Sequence, residues 1–136
     1  MTSPGLEDIL LLMNQKTVLV IEDDRSIARL TEVMLNGKGL KAHLCLDASH
    51  AMEMTRRIQP DLIILDIHMP RRSGMGVLKR LRQDETTREI PVIISSVLSR
   101  RQSIEQLKKM GADDFAPKSA GINVLIDKVM FHLGSE

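Results

Sequence analysis

Five short apolar runs rich in β-branched residues recur along the chain, at 18–21, 42–46, 62–65, 92–94 and, more weakly, 114–116. Each is bounded by charged or turn-forming residues, the pattern of strands buried on both faces. Between them the apolar positions change to helical spacing: Ile27, Leu30, Val33 and Met34; Ala51, Met52 and Ile58; Val77, Leu78 and Leu81; Ile104, Leu107 and Met110. A fifth set, Ile122, Leu125, Ile126, Val129, Met130 and Leu133, follows the last run. Strand then helix, five times over, predicts an α/β protein with a doubly wound parallel sheet and helices on both faces. Gly37 and Gly39 suit the end of the first of these helices, Gln59, Pro60 and Asp61 part the second helix from a strand, and Pro91 precedes the fourth strand. The first residues lie outside the alternation. Leu6, Ile9, Leu10 and Met13 match an amphipathic helix with Ser3 as its cap and Pro4 at its first position, so residues 1–15 are expected to form an extension and 16–136 the domain. The apolar face of that extension is expected to pack on the domain or on another subunit.

Length and composition narrow the classes. A chain of 136 residues with 43% hydrophobic and 27% charged residues suits one globular domain. Lys and Arg number 19 against 18 for Asp and Glu, and the aromatics are only Phe115 and Phe131, which disfavours direct nucleic-acid binding. The lone Cys45 cannot close an internal disulfide and reads as a small buried hydrophobe. No run approaches membrane-spanning length, and Glu7 and Asp8 stand where a signal peptide carries positive charge, so a cytoplasmic protein is expected. His43, His50, His68 and His132 lack metal-ligand spacing, and Gly74 and Gly76 lack the third glycine of a nucleotide loop.

The polar residues that follow the apolar runs carry the chemistry. Ligands of open parallel sheets bind beyond the carboxyl ends of the strands. Glu22 and Asp23 follow the first run, Asp66 the third, Ser95 and Ser96 the fourth, and Lys118 the fifth. Carboxylates converging from separate strands repel one another unless a cation or proton neutralises them. Mg²⁺, a hard cation that shares oxygen ligands with phosphate, resolves that conflict. Lys118 and Ser96 would then hold an anion beside the metal, and Asp66 is the natural nucleophile for an aspartyl-phosphate.

Four motifs now stand in order: Val-Leu-Val-Ile-Glu-Asp-Asp at 18–24, Pro-Asp-Leu-Ile-Ile-Leu-Asp-Ile-His-Met-Pro at 60–70 with Gly74, Ile-Pro-Val-Ile-Ile-Ser-Ser at 90–96, and Gly-Ala-Asp-Asp-Phe-Ala-Pro-Lys at 111–118. From about Lys16 to Leu133 the chain resembles the receiver domain of two-component response regulators, the CheY-like fold with strand order 2-1-3-4-5. The resemblance implies that Asp66 is the phosphoacceptor, supplied by a histidine kinase, a histidine phosphotransfer protein or a small phosphodonor. It implies Mg²⁺ held by Glu22, Asp23, Asp66 and the backbone carbonyl of His68. Ser96 would be the switch hydroxyl, Phe115 the aromatic whose rotamer follows it, and Lys118 the phosphate contact. Such a domain is a switch with only slow self-catalysed phosphoryl transfer and dephosphorylation, not a turnover enzyme. Its output would be the surface of the fourth and fifth repeat helices and fifth strand, roughly 103–133, acting on a downstream protein or in self-association.

Departures from the commonest pattern are Glu22 in place of aspartate, Val97 after the hydroxyl where a small residue is usual, and Ser119 in place of the proline after the lysine. Val97 is expected to narrow access to the phosphoryl group, and His68 to influence its hydrolysis. Arg71 and Arg72, just past the acceptor, are candidates to steer an acidic partner. Met34, Met52 and Met110 read as core filler. Competing readings are a pseudo-receiver that binds partners without phosphorylation, a receiver cut from a larger regulator, and an aspartyl-phosphate hydrolase. The last is disfavoured by His68, where such enzymes carry an acid.

Overall fold

A computed structural model describes residues 3–69, 74–97 and 101–134, without side-chain placement at 11–13 and 101–103. The elements follow in the order α1 Leu6–Met13, β1 Thr17–Ile21, α2 Arg25–Gly37, β2 Lys41–Cys45, α3 Ala51–Ile58, β3 Leu62–Leu65, α4 Gly74–Gln83, β4 Val92–Ser96, α5 Arg101–Lys109, β5 Asp114–Pro117 and α6 Ile122–His132. All four strand pairings are parallel, in the order β2-β1-β3-β4-β5. The doubly wound sheet predicted from the apolar runs is therefore present, with the strand order that the resemblance implied.

Strand alternation divides the apolar residues between two cores. Leu19, Ile21, Ile63, Leu65, Val92 and Ile94 face α3, α4 and α5. Val18, Val20, Leu62, Ile64, Ile93 and Ala116 face α2 and α6. Met52 and Met110 pack against the first core and Met34 against the second, so these methionines fill gaps as expected. Cys45 is buried and donates its thiol hydrogen to the Asp47 carbonyl at 3.1 Å.

Local chemistry sets the boundaries. Asp24 caps α2, its carboxylate accepting from the Ser26 and Ile27 amides at 2.9 and 3.1 Å. At the other end of α2, Leu40 N–H donates to the Leu35 carbonyl, and Gly39 takes the left-handed turn at φ 82°. The left-handed residue that ends α3 is Gln59, at φ 49°. The cap assigned to α1 is corrected. The helix begins at Leu6, and Gly5 is its cap: its carbonyl accepts from Ile9 N–H, and its own N–H donates to the Asp8 carboxylate at 3.1 Å. Asp8 reaching back three residues outcompetes Ser3 for that role. Among the described side chains, packing of α1 on its own domain is also not found, since Leu6 is 72% exposed and Ile9 and Leu10 are exposed as well; the Met13 side chain lies outside them. Among the described residues no helix is long and apolar enough to cross a membrane. Pro70, Arg71, Arg72 and Arg100 lie outside the described residues.

Candidate functional site

The register delivers the site residues to one edge. Glu22 N–H donates to the Cys45 carbonyl and Asp66 N–H to the Ile21 carbonyl, both at 3.0 Å, so each carboxylate leaves the sheet one residue past the last paired strand position. Ser96 is the final residue of β4, paired with Pro117, and Lys118 follows β5 directly. α4 closes on this edge through Gly74: a Cβ there would lie 2.4 Å from both the Asp66 carbonyl oxygen and the Ile67 Cα. Only glycine permits this approach to the residue that carries the candidate nucleophile.

Glu22, Asp23 and Asp66 each present an oxygen within 4.8 Å of the others. Glu22 and Asp66 are buried, whereas Asp23 is more exposed. Because Asp24 takes the helix cap, Asp23 is left with no protein hydrogen bond among the described residues. Lys118 Nζ bridges the buried pair, donating to Glu22 Oε1 at 2.5 Å and to Asp66 Oδ2 at 3.0 Å. The other Asp66 oxygen accepts from the His68 amide at 2.9 Å. Ser119 in place of proline therefore does not keep Lys118 from the carboxylates.

Burial pushes the Glu22 carboxyl up to about 7, and its hydrogen bond with Asp66 adds to the rise against the pull of Lys118. Burial alone would also raise Asp66. Its hydrogen bonds with Glu22, the His68 amide and Lys118 outweigh that and hold it below the ordinary 3.8. Burial pulls Lys118 down, but the two carboxylates prevail and keep its ammonium above the usual value. Two buried carboxylates, with Asp23 beside them, thus lean on one ammonium, a set short of positive charge.

Ser96 supplies an independent sign. Its side chain is fully buried, and its Oγ has no hydrogen-bond partner among the described residues. Such an orphan costs about 1–3 kcal/mol unless another group satisfies it. Charge-poor carboxylates on one side and an unspent hydroxyl on the other suit a hard divalent cation beside an anion with free oxygens. The donor set fits a divalent metal.

The remaining assignments are distributed around this centre. Phe115 is half-buried, packs against the core under α3, α4 and α5, and pairs in register with Ile94, on the same sheet face as Ser96. The His68 side chain is exposed, with only its amide tied to Asp66. Val97 is 67% exposed, so its methyl groups form no part of the buried wall. Two features were missed in sequence. The close approach at Gly74 leaves only a glycine as its trace, and the orphan state of Ser96 depends on burial that a serine at a strand end does not announce.

Comparison with known proteins agrees with this geometry. The family model for the response regulator receiver domain matches residues 18–130. RpaA of Synechocystis, a DNA-binding dual master transcriptional regulator, is 33% identical over 112 residues, which are 82% of this chain and 46% of that one. The response regulator PleD of Caulobacter vibrioides is 36% identical over 101 residues, 74% of this chain and 22% of that one. The chain thus spans less than half the length of these two relatives. The polar-differentiation response regulator DivK of Brucella ovis is 28% identical over 119 residues, covering 88% of this chain and 97% of that protein. Among solved structures, the receiver domain of the Francisella response regulator 1452 superposes with a TM-score of 0.80 at 30% identity, over 87% of this chain and 96% of that one. The BeF3-activated N-terminal receiver domain of Klebsiella pneumoniae RstA gives 0.80 at 25% identity, over 87% and 98%. With sheet order, carboxylate cluster and bridging lysine in agreement, the chain belongs to the response regulator receiver domain family, whose members relay phosphoryl signals and transfer phosphoryl groups only slowly by self-catalysis.

Proposed function

We propose that Asp66 accepts a phosphoryl group and that the chain works as a switch in a two-component or phosphorelay system. The observation that carries this is the bridge from Lys118 to Asp66 across the sheet edge, beside two further carboxylates. An Asp66 carboxylate oxygen attacks phosphorus, the bond to the donor's leaving nitrogen or oxygen breaks, and the leaving group departs with that bond's electron pair. Lys118 then exchanges its contact with the free carboxylate for one with a phosphoryl oxygen, and the Ser96 hydroxyl gains the acceptor it lacks. Glu22, Asp23, Asp66 and the His68 carbonyl would hold Mg²⁺, which supplies positive charge against the phosphoryl oxygens. Phe115, on the Ser96 face, follows the hydroxyl and passes the change to α5, β5 and α6. Donors of the histidine kinase or histidine phosphotransfer class, a downstream protein or second copy as target, and a cytoplasmic setting accord with this reading. Residues 16–136 would form the receiver and 1–15 its extension.

Incubation with Mg²⁺ and acetyl phosphate or phosphoramidate, followed by intact mass measurement, tests it. One Mg²⁺-dependent phosphoryl adduct is expected in the natural chain and none in Asp66→Asn. If neither small donors nor a phosphorylated histidine donor leave an adduct on the natural chain, the pseudo-receiver reading replaces this one.

A further inference from the structure

Among the described residues, two apolar features stand without a partner. The first is α1, whose sequence Leu-Glu-Asp-Ile-Leu-Leu-Leu-Met has only two polar positions, with Leu6, Ile9 and Leu10 exposed. A helix this apolar belongs inside a larger structure. The second is a cavity of about 190 Å³ between α2 and α6, lined by Ile27, Leu30, Ala116, Lys118, Ile122 and Leu125. It is smaller than the roughly 300 Å³ at which small-molecule sites begin, a size suited to an apolar side chain. Leu30 on its rim is 49% exposed, and Val33, one turn along α2, is 55% exposed.

The geometry points to mutual exchange in a two-fold dimer, in which α1 of each chain seats its Leu6, Ile9 and Leu10 face over the α2–α6 cavity of a second copy. Reach argues against the same chain filling its own cavity. The Lys16 carbonyl is held by Lys41 N–H at the amino edge of the sheet, whereas the cavity opens at the carboxyl edge. The five residues of β1 separate these edges by about 17 Å, and the helix layer adds about 10 Å sideways. Two linker residues give about 7 Å, and the eight residues of α1 about 12 Å. In its own chain only the start of α1 arrives, leaving Ile9 and Leu10 uncovered. Area favours a second copy over one-way docking on an unrelated protein. One short helix falls well below the roughly 800 Å² per partner of stable interfaces, and reciprocal exchange doubles the contact. Charge agrees, since Glu7 and Asp8 of α1 meet an α2 that has no acid in its first turn and exposes Arg25, while Arg29 is paired with Glu32 at 2.6 Å.

Sedimentation equilibrium on the full chain, with circular dichroism to confirm folding, tests the exchange. Three proteins are compared: the natural chain, the double variant Leu6→Glu and Leu10→Glu, and Leu30→Glu. Every substituted position is exposed, so the fold should survive. The natural chain should dimerise and each variant should dimerise at least tenfold more weakly. A monomeric natural chain overturns the proposal, as does a Leu30→Glu protein that still dimerises, which would mean helix-to-helix pairing. A helix variant that still dimerises overturns it too, since the contact would then lie elsewhere.

Discussion

The two edges of the sheet use the same residue types to opposite ends. At the amino edge the charges of Asp61, Asp113 and Arg82 satisfy backbone groups. Asp61 accepts from the Thr17 amide at 2.8 Å, and Asp113 accepts from the Val92 amide at 2.8 Å while pairing with Arg82. Arg82 also donates to the carbonyls of Gly111, Arg88 and Ile90, tying α4 to the loops that enter β4 and β5. At the carboxyl edge three carboxylates crowd one lysine, and Ser96 holds a buried hydroxyl with no acceptor among the described residues. Satisfied polar groups stabilise a fold, whereas an incomplete set stabilises whatever completes it. The contrast separates residues that hold the domain together from residues kept ready for a ligand.

Exchanging one residue at each edge should give opposite phenotypes. The largest effect is expected from Asp66→Asn, which removes the nucleophile and should abolish the phosphoryl adduct outright by mass spectrometry. It also removes a carboxylate whose hydrogen bonds hold it ionised below its ordinary pKa, so the melting temperature at neutral pH should stay level or fall slightly. A marked fall would mean that the carboxylate edge is structural after all. Arg82→Ala should do the reverse, retaining the adduct while losing about 3 kcal/mol for its severed hydrogen bonds. For a chain of this size that is about 10 °C of melting temperature by calorimetry. An unchanged melting temperature would remove the amino edge from the comparison.

The sequence exposed the carboxyl edge better than the amino edge, for a physical reason. Glu22, Asp66, Ser96 and Lys118 each interrupt or end an apolar run, and a polar residue at the mouth of a buried strand is visible in one dimension. The five strands were legible for the same reason, since burial on both faces leaves an unbroken apolar signature. Arg82 lies in the last turn of α4 among other basic residues, and nothing local tells it from Arg80. Its partners are at sequence separations of 6 to 31 residues, and only the folded topology brings them together. The start of α1 was misread because Ser3-Pro4 is a strong local signal, while the choice of Gly5 depends on Asp8 reaching back. The α2–α6 cavity lay beyond sequence reading altogether, because it forms where four elements meet.

A metal titration probes the carboxyl edge more finely. Glu22 is raised by burial from 4.5 to about 7, so the folded state takes up a proton that the unfolded state releases. Its contribution to stability is fully present below 4.5 and is lost as pH rises through about 7. A divalent cation replaces that proton only where the carboxyl is ionised. Mg²⁺ should therefore raise the melting temperature by several degrees at about pH 8 and by much less at about pH 5. Glu22→Gln should flatten the difference. An equal response at both pH values would mean that the metal does not compete with the Glu22 proton.

The smallest effect belongs to the amino edge and has the opposite sign. Asp84 is lowered to about 2, first by its hydrogen bonds from the Thr86 hydroxyl and amide and then by Arg56. The unfolded chain binds a proton at this residue near 3.8, before the folded chain does. Its stabilisation is therefore present above 3.8 and is lost as pH falls toward 2. Asp84→Asn should lower the melting temperature slightly at neutral pH and not at all at about pH 2, so the two melting curves converge on acidification. Curves that stay parallel across that window would show that Asp84 acts through shape rather than charge. Convergence would leave the amino edge strengthened by an ionised Asp84 and the carboxyl edge weakened by an ionised Glu22.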